Sequence, residues 1–372
     1  MAVLRQPKRR KPFHAGRKYG CAFERTFSAP PPAGARVAGR GHLPTSGESW
    51  SFNVRPVAGA LVFAAIAPHG GLAIEEACTP EERGLAAATR AGMKELGRLF
   101  GAARPQAVVV ATPHNVHIPG AMGVLVSGRV AGRLAGAPSA IALDVPTDQK
   151  LAWRLLECLG SAQVPAVAVS FGSNDPADAV APMDWGTLIP LWFMGGRNDP
   201  PMPLVVITPA RDLPASDHIK AGAAIAAAAV AAGLRVALIA SADHGHAHDS
   251  KGPYGFDPAA KKYDEVICEL VRGERLDRLA DIPSDLVEAA KADSWWQLLI
   301  LHGATAKGWS GKLVSYEAPT YFGMLTAAYE PASPSPFRGE GRGERAQLAT
   351  PAISPGSASP PRKRSVRRTR AR

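Results

Sequence analysis

The chain has 372 residues, a formal net charge of +11 and a sequence isoelectric point near 9.7, values that at first suggest a polyanion-binding protein. The charge sits at the two ends. Residues 1–55 carry a net +9 and residues 331–372 a net +8, which leaves −6 for the segment between them and excludes a basic nucleic-acid stripe from its folded part. Four widely spaced cysteines without a CxxC pair exclude a zinc ribbon and a disulfide framework, and fit a reducing, cytoplasmic setting.

In chain order, residues 1–53 mix KRRK, PPPAGAR and GRGH with no helical or strand period, so a disordered basic tail is expected there. No apolar run follows its charges, and no secretory signal is expected. The domain is expected over 54–330. Ala60–Ala67 reads as a buried strand, Pro80–Phe100 as a helix and Ala107–Thr112 as a second buried strand. Gly123–Ser127 and Ala140–Leu143 read as further strands, and Asp148–Leu159 as a helix. Val164–Val169, Leu204–Thr208 and Val236–Ala240 complete a set of continuous apolar runs, the pattern of strands covered on both faces. Ala221–Ala232 is a helix turning at Gly233. It is alanine-rich and the apolar stretch is interrupted by Arg235, so no membrane span is expected. This alternation predicts an α/β fold, a three-layer α/β/α domain around a mixed or mostly parallel sheet. Residues 331–372, rich in Pro, Ser and Arg, read as a second disordered tail.

Six of the ten histidines fall just after three predicted strands: His69 in PHGG, His114 and His117 in PHNVH, and His244, His246 and His248 in SADHGHAHD. Loops at strand carboxyl ends are where open α/β sheets carry their sites. Imidazole is the commonest neutral metal ligand. Two histidines and one carboxylate on one face of a metal leave positions open for substrate and dioxygen, the ligand set of non-haem Fe(II) oxygenases. Glu317, in SYEAPTYFG, is the candidate carboxylate. It is the sole acidic residue between Asp293 and Glu330, and its apolar, aromatic setting makes an unpaired charge costly. If the segment after Asp243 is extended, His244, His246 and His248 point the same way.

APHGG, VVVATPHNVHIPG, SADHGHAH and YEAPTYFGM, in that order, resemble the class III (LigB-type) extradiol dioxygenases across about 60–325. The resemblance implies a LigB-like fold, Fe(II) held by His69, His114 and Glu317, and His246 as the acid–base residue. It implies no organic cofactor, and partners limited to a small aromatic substrate and O2. A homodimer or higher homo-oligomer is compatible with it, whereas a membrane or a specific nucleic acid is not expected. His117, Asp184, Asp243, His244, His248 and Tyr316 are candidates for substrate binding or for supporting the metal ligands. Asp184-Trp185-Gly186-Thr187-x-x-Pro190 looks like the family's D-H-G-T-x-x-P segment, with Trp185 where many members have histidine. The implied reaction is insertion of both atoms of O2 into a catechol-type ring beside the diol. A 2-aminophenol or amino-acid catechol is an alternative substrate. Two other classes are a zinc hydrolase built on His244-x-His246-x-His248-Asp249 and a metal-binding scaffold without oxygenase activity. HExxH, a P-loop and a GxSxG elbow are all absent.

Overall fold

In the computed structural model the described residues are 59–137, 140–305 and 308–332. The tails expected at 1–53 and 331–372 lie outside them, except for Pro331 and Ala332. The strands are β1 (Ala60–Ala67), β2 (Ala107–Ala111), β3 (Met122–Leu125), β4 (Arg129–Arg133), β5 (Ala142–Pro146), β6 (Ala166–Val169), β7 (Val180–Pro182), β8 (Leu204–Thr208), β9 (Arg235–Ser241), β10 (Trp309–Glu317) and β11 (Met324–Pro331). The helices are α1 (Ala87–Ala103), α2 (Gln149–Ser161), α3 (Trp185–Phe193), α4 (Ala215–Ala232), α5 (Pro258–Arg272), α6 (Ser284–Ala289) and α7 (Trp295–Ala304).

Eight strands form one mixed sheet in the order β10-β11-β1-β9-β2-β8-β3-β6. Its centre, β1, β9, β2 and β8, is wholly parallel, while β11 joins β1, and β3 joins β8, antiparallel. Side chains alternate between faces along each strand, so the continuous apolar runs feed two separate cores. Val109 and Ala111 pack with Leu155, Ile225, Tyr263 and Leu298 of α2, α4, α5 and α7 on one face. Val108 and Val110 pack with Met93, Leu96 and Leu188 of α1 and α3 on the other, joined there by residues of a small sheet, β5-β4-β7. The predicted three-layer α/β/α architecture is therefore present.

The boundaries differ where local chemistry intervenes. The helix read over Pro80–Phe100 starts only at Ala87, because Ala86 takes a left-handed conformation (φ 54°) after a short 3-10 turn at Glu82–Gly84. The alanine-rich helix begins earlier than its pattern suggests, at Ala215 after Pro214. Among the described residues no helix is long and apolar enough to cross a membrane.

The four central strands run the same way, so the segments leaving their carboxyl ends share one edge of the sheet. His69 follows β1, His114 follows β2, Arg211 follows β8, and Asp243 to His246 follow β9. That edge carries the site.

Candidate metal centre and its cavity

His69 is buried at the tip of β1, and two bonds fix it. Its backbone N–H donates to Asp243 Oδ1 at 2.9 Å, and its Nδ1 lies 3.0 Å from Ser241 Oγ. The Ser241 hydroxyl itself donates to the Gly186 carbonyl. That hydroxyl therefore accepts from Nδ1–H, which leaves Nε2 as the nitrogen that faces His114 and Asp293. Fixing the tautomer through the far nitrogen is how proteins aim a ligating histidine.

His114 Nε2 lies 3.1 Å from His69 Nε2, with the two rings edge to face at 87°. Asp293 Oδ2 lies 3.5 Å from each of these nitrogens. A point about 2 Å from all three atoms exists, matching ordinary metal–nitrogen and metal–oxygen bond lengths. The other oxygen of Asp293, Oδ1, is buried with no hydrogen-bond partner, and an ionised carboxylate in that condition is costly without a cation. Among the described residues this is the one group of three His, Cys, Asp or Glu side chains placed to hold a metal ion. Two imidazoles and a carboxylate on one side of a point fit a divalent transition metal, Fe(II) included.

The electrostatics of the group favour positive charge. Burial works against a charged His69, but Asp243 and Asp293 outweigh it and raise its pKa to about 9. Burial and then the neighbouring His69 charge push His114 down to about 4. Burial raises the Asp243 carboxyl. Burial would raise Asp293 as well, but the charge of His69 reverses the effect and holds Asp293 below the usual carboxylate range. The carboxylates that keep a proton on His69 would serve a metal cation in the same place.

Glu317 is not part of this group. Its Oε1 accepts from the backbone N–H of Thr89 at 2.6 Å, in the first turn of α1. That helix has no side-chain cap of its own at Ala86, so a carboxylate from β10 satisfies one of its free N–H groups and meets the positive end of its dipole. The premise that Glu317 needs a partner holds, but the partner is a helix terminus.

The other candidates divide. His246 lines the same cavity as His69, His114, Asp243 and Asp293. Its Nδ1 bonds the His244 carbonyl at 2.8 Å. A carbonyl only accepts, so Nδ1 carries the proton and Nε2 is the basic nitrogen. The ring stacks on Phe322 at 5.5 Å, with Tyr254 and Tyr321 close by.

His244 and His248 do not share that direction, because the segment after Asp243 is irregular. His244 is fully buried, with Nδ1 3.1 Å from Ser294 Oγ, which also pairs with Tyr263. His248 bonds Asp264, whose carboxylate also accepts from the Tyr316 hydroxyl and from Gly245 N–H. His248 and Tyr316 thus brace the histidine loop from behind and do not line the cavity. The three histidines go to three different partners, which removes the basis for a zinc hydrolase centred on them.

Asp184 caps α3 and ties it to the loop after β2, accepting from Thr187 N–H, Thr112 Oγ1 and Asn115 Nδ2. It therefore positions both His114 and Trp185. Asn115 has a left-handed backbone (φ 85°), which suits asparagine, and His117 beyond it is exposed. Gly186 leaves room that a Cβ would take from Thr112 Oγ1 and Asp184.

The cavity measures about 730 Å³. Its walls are aromatic: Trp185, Tyr254, Trp295, Trp296, Tyr321 and Phe322. Trp185 lies over the His114 ring, with the two centroids 4.1 Å apart. Sequence reasoning missed Asp293, Tyr254, Arg211 and the two tryptophans after Asp293. None of them follows a predicted strand except Arg211, and no motif marks it.

Protein CA_C1420 of Clostridium acetobutylicum is 21% identical over 253 residues, which is 67% of this chain and 53% of that protein, so the chain spans about half the length of this relative. The uncharacterized protein JW3007 of Escherichia coli K12, a solved structure, superposes with a TM-score of 0.48 at 20% identity, covering 72% of this chain and 99% of the other. Residues 63–325 match the model of the catalytic LigB subunit of aromatic ring-opening dioxygenases, and the chain belongs to that family.

Proposed function

We propose that this chain is an extradiol dioxygenase that opens a catechol-type ring beside the diol, using Fe(II) held by His69, His114 and Asp293. The observation that carries this reading is the position of His246. It lines the cavity that the three donor atoms open into, and its proton is committed to the His244 carbonyl. When bound, ferrous iron would supply the point where diol and dioxygen meet.

The protein's own residues do the rest. Nε2 of His246 accepts a proton from a catechol hydroxyl and can return it later, the two-way traffic expected of a neutral imidazole. Phe322 holds that ring flat. Trp185 and Tyr321 wall the cavity and limit water around the reacting ring. Asp243 holds the His69 backbone in register with the ligand side chains.

The test is anaerobic loading with Fe(II), followed by oxygen and a panel of catechol, protocatechuate, gallate and 2-aminophenol. Yellow ring-fission products with matching oxygen uptake are expected from at least one diol. Iron binding with no product from any of them would favour a metal-binding scaffold instead. Product from 2-aminophenol alone would move the substrate to that class.

A further inference from the structure

We infer that Arg211 is a specificity-determining residue that selects aromatic substrates bearing a carboxylate. The inference rests on the proposed ring-cleavage reading for its catechol, although the anion site itself needs only the cavity.

Arg211 leaves the carboxyl end of β8 and lines the cavity whose floor is the metal group. Its guanidinium lies over the ring of Trp296, 4.8 Å from the centroid. Stacking on an indole fixes the plane of the guanidinium while leaving its N–H edge free to donate. Among the described residues, Arg211 has no carboxylate within ion-pair distance, although the surface arginines Arg98, Arg129, Arg154, Arg275 and Arg278 all do. Two other charges on the rim, Lys291 and Glu288, are exposed and opposite in sign. With Asp243 and Asp293 gathered at the floor around His69, Arg211 is the positive charge on the wall that no carboxylate of the described residues pairs with. It lines the same cavity as His69, His114 and Asp293.

The side opposite in character supports the same assignment. Trp185 offers the cavity a flat apolar face beside the His114 ring and no charge. Polar recognition remote from the diol then falls to another residue, and a free, stacked guanidinium matches a planar carboxylate through two parallel N–H donations.

The experiment uses the full chain loaded anaerobically with Fe(II), with binding followed by calorimetry and by quenching of tryptophan fluorescence. The probes are catechol, 3,4-dihydroxybenzoate and benzoate, so that diol and anion are separated. Wild type is expected to bind 3,4-dihydroxybenzoate roughly tenfold more tightly than catechol, a modest charge-assisted gain for a solvent-open site. Arg211→Met should bring that ratio close to one and abolish benzoate binding, and Arg211→Lys should keep part of both. Equal affinity for the two diols in wild type, or a ratio that survives Arg211→Met, would overturn the inference while leaving ring cleavage intact. Benzoate binding that depends on Arg211, in a protein that binds and cleaves no diol, would sink the proposed reaction and leave the anion site standing. Arg211 is exposed, so Arg211→Met should fold; matched melting curves check this, and Arg211→Gln serves as a second neutral variant.

Discussion

The Nε2 atoms of His69 and His114 face each other across 3.1 Å, and Asp293 Oδ2 stands 3.5 Å from both. Two imidazole lone pairs do not settle at that distance unless a proton or a cation lies between them. Ser241 holds one proton of His69 on the far nitrogen, so what fills the gap is a second proton on Nε2 or a metal ion that displaces it. Asp293→Asn should lower metal affinity by more than the roughly 10- to 100-fold that losing an outer partner costs. Glu317→Gln should leave metal content near wild type and cost about 1 kcal/mol of stability through α1. Metal analysis of dialysed protein and urea unfolding measure the two effects. Metal loss from Glu317→Gln with retention in Asp293→Asn would reverse the assignment.

Ser241 bears on the metal only through His69. In Ser241→Ala, Nδ1 loses its acceptor and the imidazole can present the wrong tautomer. Metal affinity should fall about 10- to 100-fold with the ligand set intact. Competition against a chelator of known affinity reads this directly, and Ser241→Thr, which keeps the hydroxyl, should recover most of it.

On the proposed reading, His246 moves protons without holding the metal. His246→Ala should keep metal at wild-type stoichiometry while turnover of the best diol falls by about 10²–10⁴. His69→Ala should lose metal and turnover together. An oxygen electrode and metal analysis on the same preparations distinguish the variants, and metal loss in His246→Ala would make it a ligand.

How much of this was legible in the sequence depends on which layer a residue belongs to. The central strands were readable because Ala107–Ala111 and Leu204–Thr208 are apolar on both faces, and the histidines after β1, β2 and β9 inherit their position from those strands. Asp293 was not readable. It lies between α6 and α7, and it reaches the site because α7, apolar on nearly every side, packs into the core and gives no helical period to read. The cost of an unpaired charge was a sound guide to Glu317 needing a partner, but it could not say which. A capless helix start at Ala86, whose Thr89 N–H lies 228 positions away in the chain, is visible only once the sheet is assembled. The spacing of His244, His246 and His248 misled for a related reason, since Gly245 N–H and the His248 ring are both drawn to Asp264.

Asp264 holds that loop. It is almost fully buried and accepts from Gly245 N–H at 2.7 Å, Tyr316 OH at 2.7 Å and His248 Nε2 at 2.9 Å. Asp264→Ala strands three donors and should cost about 3–5 kcal/mol, the range for breaking a buried charged network. Tyr316→Phe removes one donor and should cost about 1 kcal/mol. Equal effects in denaturant unfolding would mean that the carboxylate does not organise the loop.

His244 sets how the fold responds to acid. Burial, helped by the charges of His246 and His69 and opposed by Asp264 and Asp293, brings its pKa down from 6.5 to about 4, and burial lowers that of His218 as well. In the unfolded chain both histidines take up a proton at their ordinary pKa, while in the folded protein they stay neutral. Between about pH 6.5 and 4 the unfolded state therefore binds more protons, and stability must rise with pH across that window. For His244 the contribution is fully present above pH 6.5, is lost progressively on acidification, and amounts to at most about 3 kcal/mol by pH 4. His244→Gln should be less stable than wild type at pH 7, because Ser294 and the packing around the ring are disturbed, yet its stability should fall less steeply below pH 6.5. Urea unfolding at half-unit steps from pH 4.5 to 7.5, with a chelator present so that metal affinity adds no slope of its own, measures both curves. Parallel curves would show that His244 is already charged in the folded protein.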